Sequence, residues 1–258
     1  MTSLQDSGQP TRRKLRHAPV VEALLDIRVV PRPDASIDEL RALDDHYRAE
    51  YPERKEKKKA SFQFKFDVTE SNAAPQAEAT APEPHGFMYS DKGQKNRVQI
   101  ALNGFTQNVL APYADFETLI GRARPNWEAF KSVTRPLAIS RIAVRYINEL
   151  RLPIGEPIES NLIAFPNIPP TLPQTVSDFA LRLTIHHETL GARAIVNQVS
   201  QGLVDQTGLQ VFLDIDAIIE KQIDIDSPEL WDRFQALREF KNDIFFDVLS
   251  KALLEKYK

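Results

Sequence analysis

The stretches VVEALLDIRVV (Val20–Val30) and AISRIAVRYINELRL (Ala138–Leu152) decide the reading of the fold. In the first, Val21, Ala23, Leu25, Ile27 and Val29 alternate with Glu22, Asp26 and Arg28, the period of two that a half-buried strand requires. In the second, Arg141, Arg145 and Glu149 fall on one face, while Ile142, Val144, Tyr146 and Asn148 fall on the other. Each run opens a series with the same order: a strand, a connector, three more β-like runs and a long helix-patterned segment. The two series occupy residues 17–136 and 137–258. The recurrence predicts an α+β fold, with antiparallel sheet or sheets built from a duplicated β-(α)-βββ-α unit and long helices packed on one face. The two halves are expected to form one compact unit, side by side or facing one another around a groove.

Working outward, Pro31 and Pro33 stop the first strand, and Ser36 with Glu39 forms a capping-box pattern ahead of Leu40, Leu43 and Tyr47. The charged run Glu53–Lys59 reads as solvated, and Phe62, Phe64 and Phe66 alternate with Gln63 and Lys65 as a strand. Residues 71–85 (SNAAPQAEATAPEPH) have the composition of a linker. The matching place in the second series is only a short turn at Thr189–Gly191, so 71–85 is expected to be a disordered insertion in a hairpin. Strands are expected at Gly86–Tyr89 and Arg97–Leu110, then a helix capped by Asp115 that Pro125 should kink or split. In the second series the strands are Phe179–His187, Ala192–Ser200 and Leu209–Ile215. Ser227-Pro228-Glu229 then opens a helix that carries Trp231, Phe234 and Leu237 and runs nearly to Lys258. Laid together, Phe62–Phe66 matches Phe179–Leu183, and Arg97–Leu102 matches Leu209–Asp214.

Composition narrows the function classes. With 258 residues, 42% hydrophobic and 27% charged, the chain has material for a packed core and is neither globally disordered nor membrane-like. Its net charge of -3 gives no general attraction to nucleic acid. Cysteine is absent, which excludes disulfides, thiolate metal sites and cysteine nucleophiles. Residues 1–16 read as a disordered basic tail without an apolar core, so a secretory signal is not expected and the chain reads as cytoplasmic. No Walker loop, G-x-S-x-G, H-E-x-x-H or dinucleotide glycine fingerprint occurs, and no cofactor is expected.

Several segments together carry a family resemblance. They are Arg141-Ile-Ala-Val-Arg-Tyr-Ile-Asn followed by Leu152-Pro153, Ala18-Pro19-Val20-Val21-Glu22-Ala23, Leu213-Asp214-Ile215-Asp216, Leu230-Trp231 and Leu237–Phe245. With these the chain resembles the sporadically distributed prokaryotic TIGR04255 family of uncharacterised proteins, over about residues 17–252. The resemblance implies no chemistry. The sporadic distribution it implies is compatible with a role in a mobile system such as bacterial defence or toxin control.

Three constellations offer chemistry. Arg141 and Arg145, with Tyr146 and Asn148 on the same strand, are the candidate ligand-binding residues. Arginines on a sheet face hold a phosphate or carboxylate through paired bonds, or they pair with acids on neighbouring strands. Asp214 and Asp216, with His186, are the candidate metal ligands for phosphodiesterase-like chemistry. Arg12, Arg13, Lys14, Arg16, Lys57, Lys58 and Lys59 are the residues that would contact nucleic-acid phosphates, although no aromatic side chains interleave with them. The favoured reading is a non-enzymatic binding or adaptor protein that engages a protein or peptide partner on a sheet surface or open edge strand. The alternatives are a sensor of an anionic ligand or nucleotide held between the halves, and a metal-dependent enzyme.

Overall fold

The alternation seen in the sequence places one side of every long strand against helices. In the computed structural model, which describes residues 15–59, 62–65, 76–79, 83–153, 155–165, 168–169, 171–173, 176, 178–204 and 208–258, the architecture is mixed α/β. The strands are β1 (Val20–Val30), β2 (Glu53–Lys59), β3 (Phe62–Lys65), β4 (Gln76–Ala79), β5 (Glu83–Ser90), β6 (Asn96–Ala101), β7 (Gly104–Leu110), β8 (Ala138–Pro153), β9 (Ala180–His187), β10 (Ala192–Val204) and β11 (Gly208–Ile219). The α-helices are α1 (Asp44–Arg48), α2 (Phe116–Thr134), α3 (Leu230–Val248) and α4 (Lys251–Glu255). Nine strands make one antiparallel sheet in the order β2-β5-β6-β7-β1-β8-β11-β10-β9, and β3 pairs with β4 alone. The two long alternating runs, β1 and β8, lie side by side at its centre, with Leu25 opposite Val144 and Ile27 opposite Ile142. One sheet therefore runs through both series, and they do not form facing sheets.

Helices pack on one face only among the described residues. Phe105 of β7 meets Trp127 and Phe130 of α2, and Tyr146 of β8 lies under Lys241 of α3. A 3-10 turn at Glu39–Leu43 and α1 bring buried Leu40, Leu43 and Tyr47 to the same face, where Tyr47 packs on Tyr89 of β5. This places the apolar core between helices and sheet, with Ala23, Leu25, Ile27, Val144, Ile215 and Ala217 all fully buried. Burying a side chain of this size stabilises the fold by roughly 1.5–3 kcal/mol for the larger aliphatics.

Several local expectations need correction. Glu53–Lys59 is exposed as expected over Glu53–Lys57, but its seven charged residues also form the edge strand β2 against β5, where one side needs no partner. The charges suit an edge because they discourage pairing with another chain. Residues 97–110 are two strands joined by a turn at Leu102–Asn103. The run at Phe62–Lys65, expected to match Phe179–Leu183, is β3 and pairs with β4 outside the nine-stranded sheet, whereas β9 pairs with β10 within it. Within 71–85, residues 76–79 are β4 and 83–85 begin β5; the remainder lies outside the described residues. Leu15 and Arg16, the inner end of the expected basic tail, fall within the described residues. Leu15 packs against the core, and the His17 N–H donates to the Tyr257 carbonyl, while residues 1–14 lie outside the described residues.

The helices also differ in detail. The Asp115 cap forms as expected, its carboxylate accepting from the Thr118 N–H at 2.7 Å. α2 nevertheless continues through Pro125 as one helix. Pro125 and Gly121, whose carbonyl loses its donor, both sit on the exposed side, where that carbonyl is open to solvent. α3 starts at Leu230 and stops at Val248. There Leu249 bridges to Leu162, and Ser250 caps the separate α4 by accepting from the Leu253 N–H. No described helix is long and apolar enough to cross a membrane.

Candidate functional site

Alternation along the central strands turns Asp26 and Arg28 of β1, Thr106 of β7, Arg141 and Arg145 of β8, and Asp214 and Asp216 of β11 to the face without helices. The strand order makes these residues neighbours although they are up to 190 positions apart in the chain. Asp26 is the hub. It accepts from Arg28 at 3.0 and 2.7 Å, from Arg141 at 2.6 Å and from the Thr106 hydroxyl at 2.8 Å. Arg141 reaches across to Asp216 at 3.2 Å, and Arg145 grips Asp214 with two bonds of 2.8 Å each. Asn197 of β10 adds a bond to Asp214.

Gly104 leaves room for this packing. It lies opposite Arg28, and a Cβ there would come within 2.9 Å of the Arg28 side chain and 3.0 Å of the Ile27 carbonyl. From the edge, Lys57 of β2 reaches inward to Gln99 at 2.5 Å. Together these groups line a shallow groove of about 210 Å³ on the bare face. Its lining presents four cationic side chains, Arg28, Lys57, Arg141 and Arg145, against the carboxylates of Asp26 and Asp216.

The electrostatics follow from this crowding. Burial raises the Asp216 carboxyl above its ordinary value, against the pull of Arg141 and Arg145. Partial burial lowers Lys57, and the nearby Arg28 lowers it further. The hydrogen bonds to Asp214 hold Arg145 more firmly protonated. Exposure divides the residues by role. Asp26 is 6% exposed and belongs to the floor, whereas Arg28 and Arg145 are 40% and 41% exposed and stand where a ligand would meet them.

The expected ligand residues separate. Arg141 and Arg145 are in the groove, but Tyr146 and Asn148 point to the opposite face because they occupy the alternate positions of β8. Tyr146 is buried with its hydroxyl 2.6 Å from that of Tyr113, and burial drives its phenol well above the ordinary value. Asn148 donates to the Leu213 carbonyl at 3.0 Å, tying β8 to β11. Neither side chain lines the groove.

The expected metal ligands also separate. Asp214 and Asp216 are engaged by arginines, and His186 sits on β9, two strands from β11. That is about 10 Å in the pairing direction. Among the described residues no three His, Asp or Glu side chains gather as a metal site. Of the basic residues, Lys57 is in the groove; Arg12, Arg13 and Lys14 lie outside the described residues, as do the side chains of Lys58 and Lys59.

Sequence reasoning missed Asp26, Arg28, Thr106 and Lys57 as parts of the site. Asp26 and Arg28 did carry a signal: charges two apart share a strand face, beside another strand with two arginines on one face. Lys241 gave a different signal. It stands four residues from both Leu237 and Phe245, on the buried stripe of α3, with its ammonium 3.7 Å from the Tyr146 ring centre. Burial pushes Lys241 down to about 7, while the ring face favours the charged form.

No protein-family model matches the chain, and no curated protein sequence matches it. The family resemblance is carried by the quoted residues alone.

Proposed function

We propose that this chain is a non-enzymatic binding protein that engages an anionic segment of a protein partner on the bare face of its sheet. The observation that carries this reading is the one-sided layering: helices cover one face, and the other holds a groove where four cations meet the carboxylates of Asp26 and Asp216, with Asp214 paired to Arg145 beside it. At about 210 Å³ the groove is smaller than the roughly 300–1,000 Å³ of enclosed small-molecule sites. It suits one carboxylate or phosphate presented by a larger partner. The arginines are already oriented by Asp26 and Asp214, so a partner's anion would meet guanidinium groups that need little reordering.

In the same reading the chain is a duplicated unit. Support comes from the strand order, which runs β5-β6-β7-β1 inward to the centre on one side and β9-β10-β11-β8 inward to it on the other. The groove would then lie beside the junction of the halves. Membership in the sporadically distributed prokaryotic family, and a role in a mobile defence or toxin-control system, belong to this proposal and are supported by the quoted segments.

The test is native mass spectrometry of the protein purified gently from its own host. A stoichiometric protein partner that is released by raising the salt concentration is the expected result, because exposed charge contacts are screened. A chain that retains a small anion instead would overturn the partner reading in favour of the ligand sensor. A chain that carries nothing at any salt concentration would remove the support for both.

A further inference from the structure

The two edges of the sheet are unlike. β2 ends one side with seven charged residues in succession, while β9 ends the other with Ala-Leu-Arg-Leu-Thr-Ile-His-His, where Arg182 is the one lysine or arginine. A sheet edge offers unpaired N–H and C=O groups to any strand that can reach it, and proteins block such pairing with lysines and other charges. β2 is blocked in this way. β9 is not.

The ladder identifies which groups are free. The Ser200 N–H donates to the Phe179 carbonyl, so Leu181, Leu183 and Ile185 are the β9 residues that bond to β10. The backbone groups of Ala180, Arg182, Thr184 and His186 therefore face outward, and among the described residues β9 is paired on one side only. Leu181, Leu183 and Ile185 project to the helix-covered face, where each is only partly buried. The core thins at this edge and leaves apolar surface for a neighbour to cover.

We propose that β9 pairs antiparallel with β9 of a second copy of this chain, about a two-fold axis at Thr184. The strand is complementary to itself in this arrangement. Thr184 meets Thr184, a favourable cross-strand pair, and Leu183 of each copy meets Ile185 of the other on the helix side. Arg182 falls opposite His186 rather than opposite another arginine. The contact is isologous and closes after two copies, so it does not propagate into a fibre. The equivalent pairing of β2 would set Lys57 against Lys57 and Lys55 against Lys59 about an axis at Lys57, or Glu56 against Glu56 and Lys55 against Lys57 about an axis at Glu56. The two bare faces would then become one continuous surface across the dimer.

The absence of cysteine makes a direct test available. Thr184→Cys places a single thiol at the axis, where paired Cα atoms are about 5.5 Å apart, within disulfide reach. Lys55→Cys provides the control on the other edge. Thr184→Pro removes an outward N–H without touching the bonds to β10, so the fold is retained and the edge is closed. The expected results are a linked dimer from Thr184→Cys under mild oxidation and none from Lys55→Cys. Sedimentation should give the mass of two chains for the wild type and of one chain for Thr184→Pro. A folded Thr184→Cys protein that stays unlinked, equal linking at both edges, or a wild type that sediments as one chain at every concentration overturns the proposal.

Discussion

The two faces of the central sheet are made by the same strands and differ residue by residue. On β1, Leu25 and Ile27 enter the core while Asp26 and Arg28 stand on the bare side; on β8, Val144 does the first and Arg145 the second. The helix-covered face gains its stability from apolar area. The bare face spends stability on orienting charge, since its carboxylates are partly buried and held by arginines. Under the proposed function that arrangement serves recognition; for folding alone, replacing buried ion pairs with apolar side chains is often neutral or stabilising.

The largest effects belong to the covered face. Phe105→Ala empties the space between Trp127 and Phe130 and should cost about 3–5 kcal/mol, read from the denaturant midpoint. A loss below about 1 kcal/mol would mean that the core does not close there. Lys241 is the exception on this face, a cation where the rest is apolar. Its folded value of about 7 lies below its ordinary 10.5, so between those values the unfolded chain holds a proton that the folded chain has released. Stability should therefore rise with pH from about 7 to about 10.5, and the full cost should persist below about 7. A shift of this size corresponds to roughly 4–5 kcal/mol, which the Tyr146 ring reduces. Lys241→Met should flatten this dependence and stabilise the protein by up to about 4 kcal/mol near neutral pH. An unchanged slope would mean that Lys241 stays charged.

How much of this contrast could be read beforehand depended on which signals are local. The period-two alternation of Val20–Val30 and Ala138–Leu152 yielded the central strands and both of their faces, because a strand sorts its own side chains. The strand Glu53–Lys59 was hidden because seven charges carry no period, and only its edge position tolerates them. The helix through Pro125 was hidden because the exposure of Gly121 and Pro125 is decided by packing. Arg141 and Arg145 were legible as candidates, but their partners Asp26, Asp214 and Asp216 come from strands whose adjacency only the sheet order fixes. Tyr146 was grouped with them by closeness in sequence, although its position parity already placed it on the other face.

On the bare face the expected effects are smaller. Asp26→Asn removes the charge that pairs with Arg28 and Arg141 while keeping an acceptor for Thr106, and should cost about 2–3 kcal/mol by thermal or chemical melting. A cost near zero would place Asp26 outside the support of the groove. Smallest of all is the effect on stability of Arg28→Gln with Lys57→Gln. Arg141 and Thr106 still satisfy Asp26, and among the described residues Lys57 bonds to Gln99 at the exposed rim, so the double variant should lose less than about 1 kcal/mol.

That double variant provides the most direct test of the bare face as the binding surface. Wild type and Arg28→Gln/Lys57→Gln would be purified side by side from the native host, and the stoichiometry of any bound protein measured by native mass spectrometry, with melting temperatures as the control. The prediction is a partner on the wild type, at least about tenfold less of it on the variant, and melting temperatures nearly equal. A partner retained equally by both proteins would contradict the account and move recognition away from the groove.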